Sequence, residues 1–190
     1  SYEKALGEFG LKAVSRQKFN LEDRDFTGQL LTIQRAGAEV LCLSTTEIEA
    51  GLIAKQARSL GMKFQFLSPQ AYAPYVKSGG TEATDGSLFP VAYIGPEESD
   101  RARKFAEKFK AKHKYEAMVH NIWGYDGAYL IAMALKKAHP NITRETFRDA
   151  FASHCNVTLV QGTYCFDERG EGISRTKVAV VRGGKIYPVK

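Results

Sequence analysis

The 190-residue chain is 44% hydrophobic and carries a net charge of +6 from 27 basic and 21 acidic residues. That suffices for one packed domain, or one domain plus part of a second, and argues against low-complexity disorder. No apolar run approaches the ~20 residues that span a bilayer, no signal peptide is present, and the opening at Ser1 without Met reads as a fragment or processed piece.

Tyr2 to Phe9 has helical character, and Gly10 stands where a helix stops. Leu11 to Phe19 then reads as a strand. "DFTGQLLTIQRAG" reads as a helix with Leu30, Leu31 and Ile33 inward and Gly37 as its stop; Glu22, Asp23 and Asp25 before it suit the positive end of that helix better than catalysis. "AEVLCLS" is nearly continuously apolar, as expected of a parallel strand covered on both faces. Glu47 to Leu60 is the next helix, closed by Gly61, and "KFQFLS" the next strand. "GSLFPVAYI" is a further strand in which Pro90 argues for an edge or a bend.

Glu97 to His113 is a helix whose Ala102, Phe105, Ala106 and Phe109 share one face, leaving its lysines and arginines solvated. Nucleic-acid binding would interleave aromatics with the basic residues; here the aromatics belong to the apolar stripe, so no nucleic-acid partner is expected. Trp123 to Ala138 is a long apolar-faced helix ended by Pro140, and a short helix follows with Thr143 and Thr146 as caps. "LVQGTYCFDERGEG" and "TKVAVVRGGKIYPV" read as paired strands, with a two-glycine hairpin turn at Arg182 to Lys185. The early alternation of β and α predicts an α/β fold, a three-layer sandwich around a mostly parallel sheet. Because the chain opens on a helix, the strand that should feed it is missing, so the sheet is expected to be incomplete.

Motifs for catalysis and cofactors are absent. No GxSxG, HExxH, Walker or GxGxxG pattern occurs. His113, His120, His139 and His154 are scattered and read as solvated helix-end residues. "KSGGTEATDGS" reads as an exposed loop, and the sequons at Asn141 and Asn156 matter only in a eukaryotic secretory setting. Cys42 lies in an apolar strand and reads as packing. Cys155 and Cys165 leave two alternatives: a disulfide in an oxidising compartment, or two free thiols. No cofactor, metal or catalytic residue is expected.

The chemistry gathers at two strand ends. Ligands of open α/β sheets sit beyond the carboxyl ends of the strands. "LCLS" ends there in Ser44, Thr45 and Thr46, and "FLSPQAY" brings Ser68, Gln70 and Tyr72 to the same rim. Thr46 with Glu49 matches a capping box, which gives Thr46 first to the helix and only second to a ligand. Polar, uncharged groups at adjacent strand ends favour binding over bond-breaking.

"DFTGQLLTIQRAGAEVL", "AKQARSLGMK", "NIWGYDGAYLIAMAL" and "GTYCFDERGEG", in this order, resemble the second lobe of bacterial periplasmic binding proteins of the branched-chain amino acid type, the solute receptors of ABC importers. The resemblance implies a type I periplasmic-binding-protein lobe: residues 1–118 and 163–190 as lobe 2 lacking its first strand, and residues 119–162 as an excursion into lobe 1. It implies a periplasmic receptor that clamps a small ligand in an interlobe cleft and docks on an ABC permease. The missing N-terminal part would be supplied as a separate chain, or replaced by self-association. The position of Thr46 often contacts ligand in such receptors, and that of Gln70 is acidic in those that grip an α-ammonium group. An uncharged Gln70 points instead to an aromatic or aliphatic carboxylate, or an amide. Ser44, Thr45, Thr46, Gln70 and Tyr72 are therefore the candidate ligand residues. A sensor or regulator domain of the same fold is the alternative; a doubly wound enzyme would need a nucleophile with a partner that no motif supplies.

Overall fold

A computed structural model describes residues 2–68, 72–174 and 176–189. The chain divides into two compact units, 1–91 with 178–190, and 92–177. The expected lobe boundaries at 118 and 163 both fall inside the second unit.

The first unit is α/β. Its elements are α1 (Tyr2–Glu8), α2 (Thr27–Arg35), β1 (Val40–Cys42), α3 (Glu47–Ser59), β2 (Gln65–Leu67), α4 (Ala73–Gly79), α5 (Thr81–Thr84) and β3 (Leu88–Val91). The chain returns to it through β7 (Lys177–Arg182) and β8 (Lys185–Pro188). The sheet order is β1-β2-β3-β7-β8, with β1, β2 and β3 parallel and β7 antiparallel to β8. Leu41 stands opposite Phe66, and Leu67 opposite Leu88. Consecutive burial of Ala179, Val180 and Val181 shows that β7 is covered on both faces. Arg58, at the end of α3, fixes the turn into β2. It donates to Met62 O and Phe64 O, both at 2.9 Å, and lies over the Phe66 ring. The RGGK turn forms as expected: Gly183 and Gly184 have φ of 55° and 76°, the left-handed pair that a two-residue hairpin requires.

Three expectations need correction here. Residues 11–19 form no strand; Leu11 and Val14 lie exposed, and no strand among the described residues pairs with them. A β segment owes its stability to cross-strand neighbours, and its apolar residues alone do not supply them. β1 is an edge strand with Val40 47% exposed, so its apolar run is not covered throughout. Pro90, expected at an edge or a bend, lies in β3, the middle strand of five; β3 meets β2 at Leu88, two residues earlier.

The close approach of α3 and α4 sets the geometry at the strand ends. A Cβ on Gly51 would lie 2.5 Å from Tyr75 O and 2.7 Å from Gly79 N, and one on Gly79 would lie 2.8 Å from Gly51 O. Only hydrogen fits at both positions. Tyr75, fully buried, anchors α4 through its hydroxyl, 2.7 Å from Ser87 Oγ.

The second unit holds α6 (Asp100–His113), α7 (Val119–Ala138), α8 (Arg144–Ala152) and an antiparallel sheet of β4 (Val157–Leu159), β5 (Gly162–Phe166) and β6 (Gly172–Ser174). Ser99 caps α6 by accepting from Ala102 N at 3.1 Å. Ala102 is buried with Tyr93, Ile122 and Val160, Phe105 packs on them, and Lys104, Lys108 and Lys112 face solvent, as the periodicity predicts. Thr143 and Thr146 share the capping of α8: Thr146 N donates to Thr143 Oγ1, and Thr143 N to Thr146 Oγ1. Asp126, 1% exposed on α7, accepts from Val160 N and Gln161 N at 3.0 and 3.1 Å and so pins the β4–β5 turn. Cys155 and Cys165 form a disulfide, which settles the two alternatives, while Cys42 is free. His154 departs from its reading as a solvated residue: it is 7% exposed, and its Nε2 has no partner among the described residues.

Candidate functional site

The candidate rim is built where β1 hands the chain to α3. Leu43 N donates to Leu67 O at 2.8 Å, extending the β1–β2 ladder by one residue, and the chain then leaves the sheet. Ser44 and Thr46 are exposed and Thr45 is half-buried. The Tyr2 hydroxyl reaches Leu43 O at 3.4 Å from α1, and burial, with Cys42 beside it, raises its pKa above the ordinary phenol value. Burial likewise pushes the Cys42 thiol up.

Thr46 stands at the N-cap of α3, yet its side chain accepts no backbone N–H of the helix. The capping-box reading is corrected on this point. Thr46 Oγ1 donates to Glu49 Oε2, while Glu49 Oε1 lies 3.6 Å from Arg24 Nη1. Glu49 is held by an ion pair and a hydroxyl, so it does not reach back to close the reciprocal box. Arg24 is itself placed by α3: Gln56 donates to Arg24 O and accepts from Phe26 N at 2.8 Å.

The second side of the rim comes from the end of β2. Ser68, fully buried, donates its backbone N–H to Leu88 O at 3.0 Å. Tyr72 is the N-cap of α4, and its backbone N–H donates to Glu47 Oε1 at 3.1 Å. That bond ties the start of α4 to the first turn of α3, where two carboxylates, Glu47 and Glu49, suit the positive end of the helix. The Tyr72 ring meets Phe89 edge-on at 6.0 Å, and burial followed by the negative Glu47 raises its hydroxyl above the ordinary range. Gln70 lies outside the described residues. The structure thus connects Thr46 and Tyr72 through the first turn of α3. Arg24 and Glu47 were not singled out from sequence, and Glu49 was read only as a capping partner. The signal was there in "EIE" directly after the hydroxyls, with a basic residue ahead of α2.

Among the described residues, no group of three His, Cys, Asp or Glu side chains is placed to hold a metal ion. What the site offers is hydrogen-bonding groups beyond parallel strand ends, on an α/β module. The family described as periplasmic binding protein matches residues 1–185, and the chain belongs to that family. It is 24% identical over 173 residues to Leu/Ile/Val-binding protein homolog 1 of Brucella suis, covering 89% of this chain and 45% of that protein. A leucine binding protein from Thermotoga maritima superposes with a TM-score of 0.87 at 27% identity, over 98% of this chain and 53% of that one. A solute binding protein from R. palustris, solved in complex with benzoate, superposes at 0.82 with 16% identity, over 99% and 52%. The chain spans about half the length of the relatives it matches.

Proposed function

We propose that the chain forms the second-lobe part of an extracytoplasmic, periplasmic solute-binding receptor of an ABC importer, with a small carboxylate or amino-acid-like ligand held at the rim formed by Ser44, Thr45, Thr46, Gln70 and Tyr72. Residues 1–118 with 163–190 are assigned to lobe 2 and residues 119–162 to the lobe-1 excursion, with the remaining lobe and an ABC permease as partners. The observation that carries this reading is the coupling of Thr46 and Tyr72 across two strand ends through Glu47, on a fold shared with binding proteins. The names of the relatives support an amino acid, and the benzoate complex supports an aromatic carboxylate, as ligand class. Gln70, uncharged where an ammonium group would need a carboxylate, favours an amide or a carboxylate over leucine.

The test is a thermal-shift screen of amino acids, small carboxylic acids and their amides on the receptor that contains this chain. A ligand at a hundred times its Kd adds about 2.7 kcal/mol, a rise of roughly 3–4 °C for a receptor about twice the length of this chain. The Thr46→Val and Tyr72→Phe variants should each reduce that rise. A panel with no hit, or a hit indifferent to both variants, rejects this placement of the site.

A further inference from the structure

We infer that Glu98 is a positioning residue that ties together the two passages of chain joining the units, so that the outgoing and the returning passage shift as one, and that ionic strength sets how firmly they are tied. This goes beyond the receptor reading and does not depend on it. The chain leaves the first unit after Val91 and re-enters it at Val178. Just past the first passage, Pro96 opens a single 3-10 turn, Pro96–Glu98, in which Glu98 N donates to Gly95 O at 3.2 Å. The fixed φ of proline favours that tight turn. It carries the Glu98 side chain back over Ile94, whose N–H donates to Oε1 at 2.7 Å. The other oxygen, Oε2, lies 2.9 Å from Nζ of Lys177, the last residue before the chain returns. One carboxylate thus holds a backbone N–H of one passage and the ammonium of the other.

The Glu98 side chain is 16% exposed and that of Lys177 45%, so the carboxylate is shielded while the ammonium is wet. Shielding makes the pair firmer than one lying open on the surface, and the wet ammonium keeps it within reach of salt. Each passage is anchored beside the tie. Tyr93, next to Ile94, is buried with Ala102, Ile122 and Val160, and the buried run Ala179 to Val181 begins two residues past Lys177. Burial, then the charges of Glu98 and Glu97, push the Tyr93 hydroxyl up to about 12. At neutral pH the phenol is therefore uncharged and does not compete with Glu98 for Lys177. A displacement of Lys177 reaches Ile94 through Glu98.

The test is amide exchange at Ile94 in the 190-residue chain, with the amide of Phe105 in α6 as internal control. Glu98→Ala removes both bonds and should speed Ile94 exchange about tenfold or more. Lys177→Met removes only the ion pair and should speed it about threefold. Glu98→Gln keeps an oxygen for Ile94 N but loses the ion pair, so it should match Lys177→Met. On a Glu98→Ala background, Lys177→Met should add nothing. Raising salt from about 0.1 M to about 1 M should bring the wild type to the Lys177→Met value and leave that variant where it was. Phe105 exchange should stay constant throughout. An Ile94 amide indifferent to both Lys177→Met and salt overturns the coupling. A Lys177→Met effect that survives in the Glu98→Ala background overturns the role of Glu98. The salt series uses the wild type, so a variant that fails to fold does not remove the test.

Discussion

Gly51→Ala should destabilise the first unit, although alanine is the better helix former by ~1 kcal/mol. The added Cβ would stand 2.5 Å from Tyr75 O and 2.7 Å from Gly79 N, and both are backbone atoms that cannot swing aside. Ordinary contact begins near 3.4 Å, so α4 would have to retreat by roughly 0.9 Å. Tyr75 resists that retreat, being fully buried with its hydroxyl on Ser87. Overpacking of this kind costs ~1–3 kcal/mol, and a backbone clash lies at the upper end, so the net loss after the helix gain is about 2 kcal/mol. That corresponds to a fall in Tm of roughly 4–8 °C. Because the chain has two compact units, residue-resolved hydrogen exchange of the α3 amides is the appropriate assay, with urea melts beside it. Gly124→Ala in α7 is the control: its Cβ meets nothing within 4 Å, so only the propensity gain of up to ~1 kcal/mol remains. A Gly51→Ala protein as stable as the wild type, with the control behaving as stated, refutes the α3–α4 contact.

Two further outcomes concern the second unit. Cys155→Ser with Cys165→Ser, or reduction of the wild type, removes a cross-link between residues ten apart; the chain-entropy estimate for such a loop is about 2.7 kcal/mol. A melt of this unit indifferent to reductant would contradict that. Asp126→Asn leaves one of two backbone N–H groups without its acceptor and should cost ~1–3 kcal/mol. Burial holds the Asp126 carboxyl above its ordinary value, against the lowering effects of Val160, Gln161 and Arg101. The folded state then binds this proton more tightly than the unfolded chain. Its contribution to stability therefore falls as pH rises from the ordinary value through the raised one, and returns on acidification. Urea midpoints across that window should vary less with pH in Asp126→Asn than in the wild type; equal slopes would rule out Asp126 as the source.

Much of this architecture could be read in the residues because local chemistry decided it. Gly37 and Gly61 end their helices with positive φ. Thr143 and Thr146 cap α8 reciprocally, and the RGGK hairpin needs only its two glycines. The misreadings arose where a distant partner decided. Leu11 to Phe19 has strand-like composition and no strand beside it among the described residues. The Thr46–Glu49 spacing fits a capping box, but Arg24, on a separate segment, competes for the same carboxylate. His154 stands just past the end of α8, where helix-end residues are usually solvated; the fold buries it, and no periodicity announced that. Ser44, Thr45, Thr46 and Tyr72 were singled out as residues near strand ends, whereas the bond from Tyr72 N to Glu47 required the α4 chain to come back across α3.

The sheet of the first unit also sets an order of events during synthesis. β3 is neighboured by β2 and β7, and the 86 residues from Ala92 to Lys177 lie between the first stretch of that unit and its return. At 5–20 residues per second, roughly 4–17 s of translation separate them. Through that interval β3 carries a bare edge and the residues that Ala179, Val180 and Val181 will cover are wet. Until the second unit has emerged that edge stays unpaired, and β7 and β8, brought back across it, are the strands that close it.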